Sequence, residues 1–380
     1  MKLSERINLY IQRLDKLLVI LCAVLSVASV ILLRSIVINN AMTVNATSSL
    51  YKTQALISGA SLLIALVMSF FDYSKIIKLY FLYAPVAIIL SLLVFTPLGI
   101  EVADDKAWLD LKFITIQPSE LLKITFITTF ALHLSKVGDE LNNFGNFLLL
   151  CFHAAIPTGI VILQGDDGTA VVFMAIFAIM MFSAGLSLKY ILPILIALPI
   201  GLYAVWNYVM KDFQKMRFLV LFNDELDPLG IGYHQRMSKL ALGSGLAYGK
   251  GLHASEYVKV PEVVSDFIFT YIGQCFGFVG CVAVIVIFMV LTIKILLDSF
   301  RTRDLLGKYI CIGVYAMIVI HCVLNLGMVF GVMPVIGVPL PFLSQGGTSA
   351  LATYIGIGLV LSTNIHREKK DHMVLYNDNQ

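Results

Sequence analysis

The stretch Val260-Pro261-Glu262-Val263-Val264-Ser265-Asp266-Phe267-Ile268-Phe269 puts a carboxylate, Asp266, where a polar segment runs into a long apolar one. A carboxylate partly withdrawn from water there has its pKa pushed up. In that state it is suited to take a proton from a hydroxyl. Glu262 stands four residues earlier and shares a face with Asp266 if the stretch is helical. The plainer alternative is that Asp266 caps the helix that follows, which aspartate does well. Spacing alone does not separate the two.

Four further segments carry polar chemistry. Gln117-Pro118-Ser119-Glu120, followed by Lys123, reads as the entry to a helix with proline in its first turn. Glu120 and Lys123 share a face; they are either a local ion pair fixing the helix in its bundle or part of a polar cavity for a head group. Gly165-Asp166-Asp167-Gly168 reads as a tight turn, with Asp166 also able to support a site. Gln214, Lys215, Arg217, Arg236 and Lys239, with Gly243-Ser244-Gly245 and Gly249-Lys250-Gly251, offer cations and backbone amides suited to phosphate or pyrophosphate, or simply solvate a membrane interface. The run 334–349, with three prolines and three glycines, cannot be ordinary helix at membrane depth; it is expected as a folded loop lining the site, with Asn325 able to hydrogen-bond it.

The elements that must hold these residues are membrane helices. Of 380 residues, 59% are hydrophobic and only 13% charged, with a mean hydropathy of +0.88. A soluble domain is about 25% charged, so this chain lacks the polar surface to cover a water-soluble globule. Candidate spans fall at 17–33, 54–71, 76–96, 119–135, 144–163, 169–184, 191–209, 276–297, 309–329 and 347–363, so the expected fold is an all-α integral membrane protein of about ten helices. A lipid-facing backbone must satisfy itself, and helices do so. The first block is expected as a retained span, because no small-residue cleavage site ends it. The chain reads as one polytopic domain, 1–380, without internal repeat, whose largest loop is 211–266.

Lysine and arginine in short loops set orientation. Lys2, Arg6, Arg13, Lys16, Lys75, Lys136, Lys189, Arg301, Arg303, Lys308, Arg367, Lys369 and Lys370 all fall on one side, so both termini are expected in the cytoplasm. Loops 97–118, 211–266 and 330–346 then lie outside. The net charge of +3 is spread over these clusters and gives no nucleic-acid signal. The six cysteines form no CxxC pair and read as small core residues.

Together the five segments resemble the SEDS family of bacterial cell-wall synthesis (RodA, FtsW and SpoVE) over essentially the whole chain. The most specific pieces are Gln117-Pro118-Ser119-Glu120 with Lys123, Gly243-Ser244-Gly245 with Gly249-Lys250-Gly251, Pro261-Glu262 with Asp266-Phe267-Ile268-Phe269, and Pro339-Leu340-Pro341-Phe342 with Gly346-Gly347. The resemblance implies polymerisation of lipid II, a disaccharide-pentapeptide on undecaprenyl pyrophosphate, by an inverting glycosyltransferase on the outer face of the bacterial cytoplasmic membrane. It puts the essential aspartate at Asp266, its glutamate and lysine at Glu120 and Lys123, and its loop glutamine and arginine at Gln214 and Arg217. Candidate substrate-binding residues are thus Gln117, Glu120, Lys123, Gln214, Arg217, Lys239, Glu262 and Ser344. The implied partner is a class B penicillin-binding protein, a transpeptidase, and the short ends favour the RodA type. Departures from the family pattern fall at Thr115, Val264-Ser265, Gln274-Cys275, Leu246 and Gln345; Thr115 stands where a phosphate-clamping arginine is usual, with Lys112 nearby. A divalent cation, Mg or Mn, stays open as cofactor, though no His or carboxylate cluster has metal-ligand spacing. The rival classes are a lipid II flippase and a non-catalytic scaffold. Paired broken helices in two halves would favour the flippase; none is evident.

Overall fold

In a computed structural model, residues 10–42, 49–102, 105–112, 114–227 and 230–366 are described. The basic residues Lys2, Arg6, Arg367, Lys369 and Lys370, used above for orientation, lie outside them. The helices are α1 Lys16–Ile38, α2 Ser49–Phe70, the short α3 Tyr73–Lys78, α4 Tyr80–Leu93, α5 Pro118–Val137, α6 Phe144–Gln164, α7 Asp167–Ser183, α8 Leu188–Ala204, α9 Asp212–Leu219, α10 Ile231–Ser244, α11 Ile268–Arg301, α12 Leu305–Val329 and α13 Gly347–His366. The expected spans fall on these helices, except that 76–96 is divided between α3 and α4, which meet at Leu79, and 191–209 runs from α8 into a π-helical turn, Val205–Val209. Seven are long and apolar enough to cross a membrane by length and composition, and the chain is a multi-pass membrane protein.

Local chemistry sets the helix ends. Asp15, Asp72, Asn143, Asp166 and Asp304 each accept a first-turn amide with the side chain, satisfying donors that a helix N-terminus leaves open. Gly165, at φ +88°, ends α6 in the left-handed conformation that glycine adopts without penalty. The most enclosed spans are α12 and α13, whereas α8 buries no residue and lies at the rim of the bundle. One end of the bundle carries the first described residues and His366; there Lys294 bridges Asp15 and Asp298. The opposite end carries segments 97–117, 210–267 and 330–346 and is called the loop end below.

Three features of the loop end go beyond the sequence reading. Segment 99–116 forms a small antiparallel sheet in the order β1 Gly99–Val102, β2 Asp105–Asp110, β3 Thr115–Ile116, with Ile100 opposite Trp108 and Leu109 opposite Ile116. Lys112 sits in its exposed second turn at φ +67°, its amide held by Asp110. Segment 211–266, expected as a loop, contains α9 and α10. The eighth span begins at Ile268, not near 276, and is broken at Gly277 (φ +63°, ψ −159°).

That break explains the glycine-rich motif. Segment 245–251 is spliced into it. Lys250 and Gly251 donate their amides to the carbonyls of Gln274 and Cys275, while Phe278 and Val279 donate to those of Leu246 and Ala247. These amides are consumed by the chain itself, so the expectation that they cradle phosphate does not hold. A Cβ at Gly277 would lie 2.5 Å from the backbone of Ala247, and one at Gly249 would lie 2.3 Å from that of Cys275. Both glycines have positive φ. Gly277→Ala or Gly249→Ala should therefore cost at least about 3 kcal/mol in stability, seen as a lowered midpoint of thermal unfolding in detergent.

Candidate active site

Asp266 lies two residues before α11, in a run of turns and not on a helix. Phe267 occupies the cap position, so Asp266 does not cap α11. Glu262, at φ +50°, makes a tight turn and bonds Ser265 Oγ (3.0 Å), so it does not share a helical face with Asp266. The Asp266 backbone is fixed instead. Asn325, on the fully buried face of α12, donates from Nδ2 to the carbonyls of Asp266 (2.7 Å) and Val338 (2.8 Å). One amide thus clamps the aspartate segment to the proline-rich loop.

The same loop is stapled a second time. Ser344 Oγ donates to the Ser265 carbonyl and accepts the Leu340 amide (2.8 Å), and Gln345 N donates to the Val264 carbonyl (2.8 Å). Ser344 is buried and its hydroxyl is occupied by this backbone. Gln54 holds the Ser344 carbonyl and the Gly346 amide from α2. Gln274 pairs both its amide atoms with the backbone of Val258 and so pins the preceding loop to α11. On its other side the loop lies on the start of α7. A Cβ on Gly168 would come within 2.2 Å of the Ile336 carbonyl oxygen, and Gly337 faces Asp266 Oδ2. Gly168→Ala should displace loop 334–346 from α7 and cut any activity of Asp266 by about tenfold or more, measured as product formed by folded protein.

Beneath this loop is a buried polar core. Glu120 and Lys123, 3% and 1% exposed, form an ion pair at 2.8 Å one turn apart on α5. Lys123 Nζ reaches His321 Nε2 on α12 at 2.8 Å, and His321 Nδ1 meets the Pro339 carbonyl at 3.1 Å. An ammonium only donates, so Nε2 is the acceptor and the proton sits on Nδ1, where it bonds Pro339. Gln117 donates from Nε2 to Asp166 Oδ2 (2.9 Å), and the other oxygen of Asp166 caps α7 through the Thr169 amide. Asp166 is buried, and that burial raises its carboxyl above the usual range.

Asp266 is the exception within this cluster. Among the described residues no side chain hydrogen-bonds or pairs with its carboxylate. Burial, then the negative charges of Glu262 and Asp166, push its pKa up to about 7. Gln117, Glu120, Lys123, Asp166, Glu262 and Ser344 are thus gathered around the aspartate segment and the loop against it. Gln214 joins from the side, its Nε2 donating to Asp167 in the first turn of α7. Arg217 lies over the ring of its neighbour Phe213, and Lys239 lies against Gly331 beyond α12. Neither is bonded to the carboxylate cluster among the described residues. Among the described residues no three His, Cys, Asp or Glu side chains converge as a metal site.

An apolar groove of about 460 Å³ runs between α1 and α11, lined by Val24, Ala28 and Leu32 on one side and Phe276, Gly280 and Ala283 on the other. It closes on Leu343, next to the Ser344 staple.

His321 was not anticipated from sequence. A histidine one turn before Asn325 on an apolar span is the signal that would have found it, since intramembrane ionisable groups are seldom without a role.

Residues 12–371 match the family of cell cycle proteins FtsW, RodA and SpoVE. The peptidoglycan glycosyltransferase MrdB of Escherichia coli K12 is 34% identical over 266 residues, 69% of this chain and 71% of that protein. A protein of Trichlorobacter lovleyi described as a probable peptidoglycan glycosyltransferase FtsW is 33% identical over 73% of each. Among solved structures, a chain from a peptidoglycan synthase complex that coordinates polymerization and crosslinking aligns with a TM-score of 0.79 at 26% identity, covering 93% of this chain and 98% of that one. A mutant of the rod shape determining protein RodA of Thermus thermophilus aligns at 0.69 with 25% identity over 93% and 98%. By these matches the chain belongs to the FtsW, RodA and SpoVE family.

Proposed function

We propose that the chain is a peptidoglycan glycosyltransferase, the activity its relatives are named for, that polymerises lipid II on the outer face of the bacterial cytoplasmic membrane. The observation that carries the reading is the placement of Asp266: a carboxylate with no side-chain partner among the described residues, its own carbonyl held by Asn325 at the loop end of a membrane bundle, where burial pushes its pKa up to about 7. A general base works best when its pKa lies near the working pH.

Asp266 takes the proton of a sugar 4-hydroxyl. The oxygen attacks the anomeric carbon of a second lipid-linked sugar with inversion, and undecaprenyl pyrophosphate leaves. One carboxylate suffices if cations stabilise the leaving pyrophosphate without protonating it. Arg217 and Lys239 on the loop-end helices α9 and α10 are the candidates, with Lys215 and Arg236 on the same two helices. Gln117, Glu120 and Lys123 hold the floor of the site, and the prenyl chain lies in the α1–α11 groove. Positive-inside charge supports a loop end outside the membrane and both termini in the cytoplasm. A class B penicillin-binding protein is the proposed partner, in keeping with the synthase-complex relative.

The test is glycan polymerisation from lipid II by the purified chain, alone and with a cognate transpeptidase, beside a vesicle assay for lipid II translocation. Glycan strands formed by wild type but not by Asp266→Asn support the reading. Translocation without polymer, unchanged in Asp266→Asn, would replace it with a flippase; neither activity in either assay would leave a scaffold.

A further inference from the structure

We infer that His321 is a positioning residue that couples the buried Glu120–Lys123 pair to the loop lying against Asp266. The inference rests on the reading of Asp266 as the base. Three observations carry it. Among the described residues, His321 is the one side chain that bonds both to Lys123, through Nε2 (2.8 Å), and to the loop, through Nδ1 and the Pro339 carbonyl (3.1 Å). It is 4% exposed, on one of the two most enclosed spans, so neither bond is exchanged readily for water. One turn further along α12, Asn325 bonds Val338 and the Asp266 carbonyl. The two residues thus hold consecutive parts of the loop from a single helix, one leading to the ion pair and the other to the base.

The chemistry sets what the position requires. Lys123 can only donate, so its partner must accept; the Pro339 carbonyl can only accept, so its partner must donate. A neutral imidazole does both at once and keeps the Lys123 ammonium directed between Glu120 and the loop. Without it, Lys123 has one buried acceptor fewer, and the loop loses the side-chain link that runs from this carbonyl to α5. The expected effect falls on the turnover of bound substrate, because the loop's seat against Asp266 changes while the cations of α9 and α10, which His321 does not bond, do not.

Glutamine offers the same pair of functions, an amide oxygen to accept from Lys123 and an amide nitrogen to donate to Pro339. Asparagine keeps only the nearer bond, and leucine keeps neither. With folded fractions checked by thermal unfolding, His321→Leu and His321→Asn should lose about tenfold to 100-fold in kcat for lipid II polymerisation, with KM within about threefold. His321→Gln should recover most of that loss. The inference is overturned if folded His321→Asn or His321→Leu turns over within about twofold of wild type, or if folded His321→Gln is as slow as His321→Asn. If His321→Leu does not fold, the comparison of glutamine with asparagine decides. Asp266→Asn run alongside separates the two layers: activity in that variant removes the base assignment, whereas its inactivity beside fully active His321 variants removes only this inference.

Discussion

Asp266→Asn should abolish glycan synthesis and at the same time make the protein more stable at alkaline pH. Loss of general-base assistance removes about 10²–10⁴-fold in rate. The stability change has the opposite sign for a physical reason. Asp266 has a folded pKa near 7, above that of an aspartate in the unfolded chain. Between those two values the folded state binds more protons than the unfolded state, so stability falls as pH rises through that window and stays low above pH 7. A shift of about three units corresponds to at most about 4 kcal/mol, less after the partial solvent access of this side chain is discounted. Asparagine carries no charge and escapes that penalty. Thermal unfolding of both proteins at pH 5 and pH 8 should show the gap widening at pH 8. An active site that costs stability where it is charged is the signature expected of a group kept for chemistry.

The second large effect concerns the ion pair below the loop. Removing one partner of a buried pair leaves a charge without compensation, which costs about 3–5 kcal/mol. Glu120→Leu and Lys123→Met should each lower the unfolding midpoint sharply, and Lys123→Met should also free His321. The double variant should recover much of the stability, because apolar side chains of similar volume pack well where two charges were buried. It should not recover polymerisation, since the link from α5 through His321 to Pro339 is still missing. Recovery of both would show that the pair only fills space.

Much of this arrangement was legible in the residues. The spans followed from apolar block length, because an apolar helix has one way to satisfy its backbone in lipid. Glu120 with Lys123 followed from a three-residue spacing, and the irregular loop from proline and glycine at membrane depth. Contacts that join distant segments were not legible. His321 meets Lys123 across 198 positions of sequence, and Asn325 meets the Asp266 carbonyl across 59. Neither leaves a local pattern. The glycine-rich stretch misled for a related reason: flexible backbone with free amides looks alike whether it receives a phosphate or another segment of chain. Only the break at Gly277 shows that it receives α11. The strands of 99–116 are short and paired by a turn at Lys112, too brief for alternation to register.

The most direct test of the central claim is the pH dependence of polymerisation by the purified protein, measured from pH 5 to pH 9 at fixed ionic strength, with folded fraction verified at each point. A carboxylate that must be ionised to accept the proton predicts a rate rising about tenfold per pH unit at the acid end and levelling off near pH 7. The break should move toward acid when Glu262→Gln removes a neighbouring negative charge. A rate that stays flat from pH 5 to pH 8, in wild type and in Glu262→Gln alike, would contradict the assignment of Asp266 as the base.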